Sequence, residues 1–433
     1  MQTFHSLGLG YSWLGHSRLG KWRLAVAGLA VSGLAACQTT GAKPVRDGVP
    51  EPVVSLEIRD LPRATPRALP PPAPVATRPP APATEAPEEP VVETGAAFAG
   101  LAGWEGLDAA PALAAFRRSC TAWERADDGD WLNPLLPQYA RYGDWRGACA
   151  AALGAPDARS QYAKAFFEAH FRPVELSTRD GDEGLLTGYY EPELDVREVA
   201  TPEFSEPILA KPEDDAQRLQ PRRLINATTS RVIAYGRPAD VFFMQIQGSG
   251  RIRYGDGRVL RAAYAGHNGE PYTSIGRKLI EWGELDKGKA SKGAIEAWMA
   301  REGHARAKAL MNENARYIFF EEQSIAPGTG PNGAMRVPLT GMGSIALDPR
   351  YHPYGTVAVL ETTLPRRPRD FRGEARTILV VGQDTGGAIK GPLRADLFFG
   401  AGDAAGRLAG VQKHPVRWTI LVPRALAPAV PDS

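Results

Sequence analysis

The stretch Val381-Gly-Gln-Asp384-Thr-Gly-Gly-Ala-Ile-Lys390-Gly-Pro-Leu-Arg394-Ala-Asp396-Leu-Phe-Phe-Gly400 holds two carboxylates and a glycine-flanked lysine within twenty residues, directly after the apolar run Thr377 to Val381. An apolar strand that ends in Asp-Thr-Gly-Gly delivers a carboxylate to a tight turn, where glycine lets backbone approach a ligand closely. Other short strands with Gly and Pro punctuation surround it: Leu185 to Tyr190, Val232 to Tyr235, Val241 to Gln247, Arg258 to Tyr264, Thr356 to Leu360, Ile378 to Val381 and Trp418 to Val422. Helical patterning appears at Ala110 to Ala126, Ala158 to His170, Ser274 to Gly283 and Lys292 to Asn312. Leu113, Phe116, Cys120 and Trp123 fit one face of the first helix and read as core. Many short strands with turn-rich connections indicate barrels or sandwiches, and about 330 residues suffice for two domains.

Four readings of the aspartate segment compete. Asp384-Thr385-Gly386 is the triplet of aspartic proteases, in which two close carboxylates share one proton. The chain has no second Asp-Thr-Gly and no Asp-Ser-Gly, so that design requires a symmetric dimer. A phosphate loop is discarded, because the Walker spacing and its Lys-Ser/Thr ending are absent. An Asx-type turn between two strands explains the triplet without chemistry. The fourth reading is an enzyme presenting an acid.

The longer string decides among them. Asp-x-Gly-Gly-Ala-Ile-Lys-Gly, followed by Asp396 and an aromatic-Gly pair, resembles the C-terminal "3D" segment of the MltA-type lytic murein transglycosylases. Leu185-Leu-Thr-Gly-Tyr189-Tyr190-Glu-Pro-Glu, Phe243-Met-Gln245-Ile-Gln247-Gly-Ser-Gly250-Arg251, Asn312-Glu-Asn-Ala-Arg-Tyr-Ile-Phe-Phe320 and Pro338-Leu-Thr-Gly-Met-Gly-Ser344-Ile-Ala-Leu-Asp348 resemble the same family in the same order. The resemblance implies a mainly β fold with peripheral helices (α+β). A double-psi β-barrel domain would be assembled from 96–190 and 326–424 with N-terminal helices, a second small β-barrel would be inserted at 191–325, and substrate would lie in the groove between them.

The same resemblance implies chemistry. Ordinary glycosidases need two carboxylates; lytic transglycosylases let the C6 hydroxyl of N-acetylmuramic acid attack, and leave a 1,6-anhydro sugar. Asp396 takes the catalytic acid/base role and Asp384 the supporting one. A solvated aspartate is ionised at neutral pH, so the site is expected to raise the Asp396 pKa by burial or by a neighbouring like charge. Tyr189, Tyr190, Gln245, Gln247, Ser249, Arg251, Gly386, Gly387 and Lys390 are the expected substrate-binding residues. Of two adjacent strand tyrosines one points inward, so at most one lines the groove. Gln245 and Gln247 are expected on one strand face, hydrogen bonding to acetamido and hydroxyl groups; a solvated sheet face is the alternative. Lys390 is expected either to pair with Asp384 or to touch substrate, with plain exposure as the alternative. Phe398 and Phe399 read as core or as dry walls.

The N-terminus speaks of place. Residues 1–36 hold Arg18, Lys21 and Arg23, no acid, and the apolar run Leu24 to Ala36, a secretory signal too short for a membrane span. Leu34-Ala35-Ala36-Cys37 resembles the lipobox of bacterial lipoproteins, and Gln38 resembles the outer-membrane sorting pattern of Gram-negative ones. This implies an acylated Cys37, outer-membrane lipid as a partner and a periplasm-facing protein; an incidental Cys37 is the alternative. Residues 37–95 read as a tether, with 14 prolines between Pro44 and Glu93. Such a stretch builds no core, and at ~3.1 Å per residue about fifty residues of polyproline II reach up to roughly 150 Å. A measured spacer, a degenerate linker and a contact for cell-wall synthesis or division proteins are all open. Residues 425–433 read as a tail.

Loss of the signal removes three of 51 Lys and Arg against 49 Asp and Glu, a formal net of −1, so nothing asks for nucleic acid. Cys120 and Cys149 lie in the secreted part, where an even pair favours a disulfide over two free thiols. The expected partner is peptidoglycan. No metal or cofactor is expected, since the seven histidines include no His-Glu-x-x-His spacing. A non-catalytic glycan-binding module and a glycan hydrolase remain as alternatives.

Overall fold

Strands whose two faces are both covered read as continuous apolar runs, and Thr377 to Val381 is such a strand. The computed structural model describes residues 92–155, 160–287, 289–326 and 328–426. The expected signal, Cys37 and all but the end of the expected tether lie outside the described residues. The strands are β1 Val92–Gly95, β2 Phe171–Ser177, β3 Gly184–Glu191, β4 Glu193–Arg197, β5 Glu206–Leu209, β6 Val232–Gly236, β7 Gly250–Arg253, β8 Val259–His267, β9 Ile318–Gln323, β10 Ser344–Ala346, β11 Val357–Leu364, β12 Glu374–Asp384, β13 Arg394–Ala401 and β14 Lys413–Pro423. The helices are α1 Ala110–Trp123, α2 Tyr142–Gly154, α3 Ser160–His170, α4 Asp215–Arg218, α5 Pro238–Gln247, α6 Ile275–Glu281, α7 Lys292–Asn312 and α8 Gly402–Ala409.

The first sheet runs β1-β2-β14-β11-β12-β10-β13-β3, and a further pairing of β14 with β3 closes six of these strands into a barrel. β14 is long enough to serve three neighbours: Lys413 to Val416 pair with β3, Val416 to Leu421 with β11, and Trp418 to Pro423 with β2. The β10–β12 and β13–β3 pairs are parallel. Alternation along the strands fills two cores. Leu186, Ile345, Ala358, Val380, Leu397 and Ile420 share the barrel interior. Val357, Val359, Leu379 and Val381 face the other way, onto Phe116, Trp123, Trp145 and Phe167 of α1 to α3. Gly355 lets Trp123 approach: its φ is +97°, and a Cβ there would meet the Trp123 ring at 1.9 Å. Cys120 of α1 and Cys149 of α2 are joined by a disulfide.

The second sheet, β5-β6-β4-β7-β8-β9, is closed by a bridge between Ala210 and Phe320, and so makes the smaller barrel. Its core is Val196, Ile208, Ile252, Ala262 and Phe320, plugged by Val241 and Met244 of α5. Here the structure corrects the reading of Val241 to Gln247 as a strand. Pro238 stands in the first turn of α5 and Gly248 caps its end in the left-handed conformation. One side of α5 enters the barrel, while Phe242 and Phe243 pack on Ile275, Leu279 and Trp298 of α6 and α7. A helix covered on two sides loses the single apolar stripe that would reveal it. The other expected helices and strands are found with their ends shifted by a few residues, and the structure adds elements that were not expected, among them α2, α8 and β13, which opens at Arg394.

Candidate active site

β10 is the hub of the site. Its Ala346 pairs with Asp384 on β12 and with Asp396 on β13, so the two aspartates flank one short strand. Their backbones are then two strand spacings apart, roughly 10 Å. Asp396 also pairs in register with Thr187 of β3. Thr187 Oγ1 donates to Asp396 Oδ1 at 2.6 Å, and Arg394 Nη2 donates to Thr187 Oγ1 at 2.7 Å. Asp396 Oδ2 makes no hydrogen bond among the described residues. Burial, and to a lesser degree the charge of Asp384, push the Asp396 carboxyl up to about 6, against the Thr187 hydrogen bond and the Arg394 charge.

Asp384 is committed on both oxygens. Oδ1 accepts from the Ala334 N–H at 2.9 Å and Oδ2 from the Tyr189 hydroxyl at 2.9 Å. Burial raises its pKa, opposed by hydrogen bonds from the Ala334 and Thr385 N–H groups and from Tyr189. Burial and the two carboxylates hold the Tyr189 hydroxyl protonated far above its ordinary range, so it remains a donor. The hairpin carrying Ala334 comes this close because of Gly333, where a Cβ would stand 2.5 Å from the Gln383 carbonyl oxygen.

The turn after Asp384 is pinned from below. Thr385 Oγ1 donates to the Leu347 carbonyl at 2.8 Å, and the Gly391 N–H donates to Asp348 Oδ2 at 2.9 Å. Asp348 is fully buried and ion-paired with Arg350 at 2.9 Å. Burial alone would raise its pKa; the hydrogen bonds from Arg350 and Gly391 outweigh that and hold it below the usual carboxylate range.

These groups form one wall of a cleft of about 1170 Å³ whose opposite wall comes from the second barrel. Gln245, Gln247, Ser249, Tyr264, Tyr272 and Arg316 line that side. Gln245 is 3% exposed, and its Oε1 accepts from Arg222 Nη1 at 2.5 Å. Gln247 Oε1 accepts from the Tyr190 N–H at 3.0 Å and ties α5 to β3. Being two apart on a helix, these glutamines do not share a face as strand residues would.

Of the expected site residues, Asp384, Asp396, Tyr189, Gln245, Gln247, Ser249, Gly386, Gly387 and Lys390 come together in the cleft. Tyr190 does not line it: its ring packs on Ala405 and Ala409 of α8. Arg251 does not line it either, and pairs with Glu191 at 3.0 Å. Lys390 is exposed in the cleft and forms no ion pair with Asp384. Phe398 is buried against Tyr189, with ring centroids 5.3 Å apart. Thr187, Ala334, Asp348 and Arg394 were not singled out from sequence. Among the described residues no group of three or more His, Cys, Asp or Glu is placed to hold a metal.

Residues 185–321 match the model of the MltA specific insert domain, and 343–422 match that of the 3D domain. The lytic transglycosylase LtgG of Burkholderia pseudomallei is 35% identical, with a TM-score of 0.54 over 80% of this chain and 100% of that one. The chain belongs to the MltA family. MltA of Escherichia coli, in a crystal structure with bound chitohexaose, aligns at 28% identity and a TM-score of 0.59 over 81% of this chain and 96% of that one. In sequence, the membrane-bound lytic murein transglycosylase A of E. coli K12 is 38% identical over 241 residues, 54% of this chain. The match spans 65% of that relative's length. In this MltA-family chain both matched regions line the cleft, together with the 331–339 segment that joins them.

Proposed function

We propose that this chain is a lytic murein transglycosylase that cleaves the β-1,4 bond between N-acetylmuramic acid and N-acetylglucosamine in peptidoglycan. The observation that carries the reading is the asymmetry of the two carboxyls. Asp384 has both oxygens occupied by donors, whereas Asp396 keeps Oδ2 free in the cleft with a pKa pushed up to about 6. A half-buried carboxyl with one free oxygen can give a proton to a glycosidic oxygen and then take one back. As the C–O bond breaks, Asp396 protonates the leaving N-acetylglucosamine oxygen; the C6 hydroxyl of the muramic residue then bonds to C1 and returns its proton to Asp396. No water is consumed, and one committed carboxylate suffices as electrostatic support.

The chitohexaose bound by the E. coli relative supports a β-1,4-linked glycan as ligand. The relatives' membrane-bound name supports membrane association, and the lipobox-like Leu34 to Cys37 followed by Gln38 supports a lipid anchor in the outer membrane, with the proline-rich 37–95 as tether. No helix among the described residues is long and apolar enough to cross a membrane.

Digestion of purified peptidoglycan by the full-length chain, followed by mass spectrometry beside Asp396→Asn, tests the reaction. Anhydro-muropeptides are expected from the wild type alone. Reducing-end products would instead mean a hydrolase, and retained sacculus binding without cleavage a binding module.

A further inference from the structure

The cleft carries cations that have no counter-ion among the described residues. Arg222 is spent on carbonyls and on Gln245, Arg350 on Asp348, and Arg394 on Thr187 and backbone carbonyls. Arg316, Arg336 and Lys390 line the same cleft, and none has an ion-pair partner among the described residues. Among the described residues the only side-chain hydrogen bond of this trio is from Arg316 Nη1 to the Glu270 carbonyl, at 3.1 Å. Among the described residues none of the cleft's acids forms an ion pair with them: Asp348 pairs with Arg350, Asp384 accepts on both oxygens, Asp396 accepts from Thr187 on Oδ1, and Glu321 accepts from Gln323 at 2.7 Å. His267 adds no charge at neutral pH, since burial and the Arg316 and Arg218 charges lower its pKa.

The three cations come from three segments that meet around Asp384, two at the turn that follows it and one on the hairpin packed against it. Arg316, from the second barrel, brings its Cζ to 4.0 Å from where a Gly387 Cβ would stand, so it lies over the Gly386-Gly387 turn. Lys390 follows directly on that turn, closed by the Ile389 N–H to the Gly386 carbonyl at 2.9 Å. Arg336 sits at the tip of the hairpin whose Gly333 would place a Cβ 3.2 Å from Asp384 Cβ. Its φ is +61°, a left-handed conformation uncommon for a residue with a side chain, and its N–H donates to the Gly333 carbonyl at 2.8 Å. Strain of this kind persists where the surroundings impose it, and here it presents an exposed guanidinium beside the cleft floor.

The geometry points to an anion subsite, formed by Arg316, Arg336 and Lys390, that binds a carboxylate carried on the O3 substituent of the muramic residue. This rests on the glycan reading above and narrows it: the cleft is built for acidic strands over uncharged N-acetylglucosamine polymers. Guanidinium and ammonium groups meet a carboxylate with charge-assisted hydrogen bonds, and low-dielectric cleft walls focus their field. The carboxylate has two sources, the lactyl group of a strand stripped of peptide or the acidic residues of a stem peptide.

Binding to the full-length Asp396→Asn protein separates them. The probes are the N-acetylglucosamine hexamer, amidase-stripped glycan strands, and peptide-bearing strands of matched length. At least one acidic probe is expected to bind on the order of tenfold tighter than the hexamer, and its advantage to shrink with salt. An advantage confined to stripped strands assigns the lactyl carboxylate; one confined to peptide-bearing strands assigns the stem. Arg316→Gln/Arg336→Gln/Lys390→Gln is expected to bring the ratio near one. The charge-keeping Arg316→Lys/Arg336→Lys/Lys390→Arg set, and Lys287→Gln on an exposed residue outside the cleft, are expected to preserve it. Equal binding of all three probes, an unchanged ratio in the triple Gln variant, or no binding at all overturns the inference. Failure of the glycan reading itself is read separately, as absence of cleavage by the wild type.

Discussion

In the proposed reaction Asp396 is acid and base in turn, so its environment must leave it protonated often enough to start the reaction and basic enough to finish it. Burial pushes its pKa up to about 6, and Thr187 and Arg394 pull in the other direction. With protonated Asp396 required first, kcat/KM falls as pH rises through that pKa. Thr187→Val removes a hydrogen bond that favours the carboxylate, so the falling limb moves to higher pH, by about one unit for a bond of ~1.5 kcal/mol. Asp384→Asn removes a like charge that favours the acid, so the limb moves to lower pH. Opposite displacements in a pH–rate series support both assignments; displacements of one sign, or none, would remove Asp396 from the titrating role. The two aspartates were legible in sequence because they share one motif. Thr187 was not, because its partner is 209 residues away and only the β3–β13 register joins them. Its signal is present in the period of two, since Thr187 and Tyr189 point to one face of β3.

β3 links the two barrels, since its last residue, Glu191, stands two residues before the start of β4. Glu191 is fully buried and accepts from Arg251 of β7 at 3.0 Å and from Arg261 of β8 at 2.5 Å. Arg261 also donates to the Thr329 carbonyl at 3.0 Å, in the segment that returns to the first barrel. One carboxylate thus ties both crossings between the barrels to the cleft's far wall. Glu191→Gln leaves a buried guanidinium without its counter-charge, and a loss of about 3 to 5 kcal/mol is expected in urea unfolding. A loss below about 1 kcal/mol would mean that water or a neighbour replaces the carboxylate. Arg251 was expected to face substrate; its place on β7 was not among the expected strands, and its partner was hidden because Glu191 belongs to the other barrel's strand. α5 escaped for a different reason. Val-Phe-Phe-Met is rich in strand-forming residues, and the helix signals were confined to its ends, at Pro238 and Gly248.

At the scale of the molecule, the larger barrel is buttressed from outside. α1 lies on β12, and Gln383, the residue before Asp384, donates through Nε2 to the Ala115 carbonyl and to Ser119 Oγ, both at 2.8 Å. The helical layer therefore sets the end of β12 from behind while the hairpin at Ala334 sets it from the front. The Cys120–Cys149 disulfide fastens this layer to itself, closing a loop of 29 residues. In the chain-entropy view such a cross-link acts on the unfolded chain, worth about 3 to 4 kcal/mol for a loop of this length. Native packing around it is dense, with Phe116, Trp123, Trp145 and Phe171 in mutual ring contact. Removing the cross-link should therefore leave the folded site in place. Cys120→Ser/Cys149→Ser is expected to lower the urea midpoint by an amount equivalent to about 3 kcal/mol while kcat on peptidoglycan at 25 °C changes less than about twofold. A large fall in kcat at a temperature where the variant is still folded would show that the disulfide positions β12 and so Asp384. An unchanged midpoint would show that the helical layer holds the unfolded chain together without it.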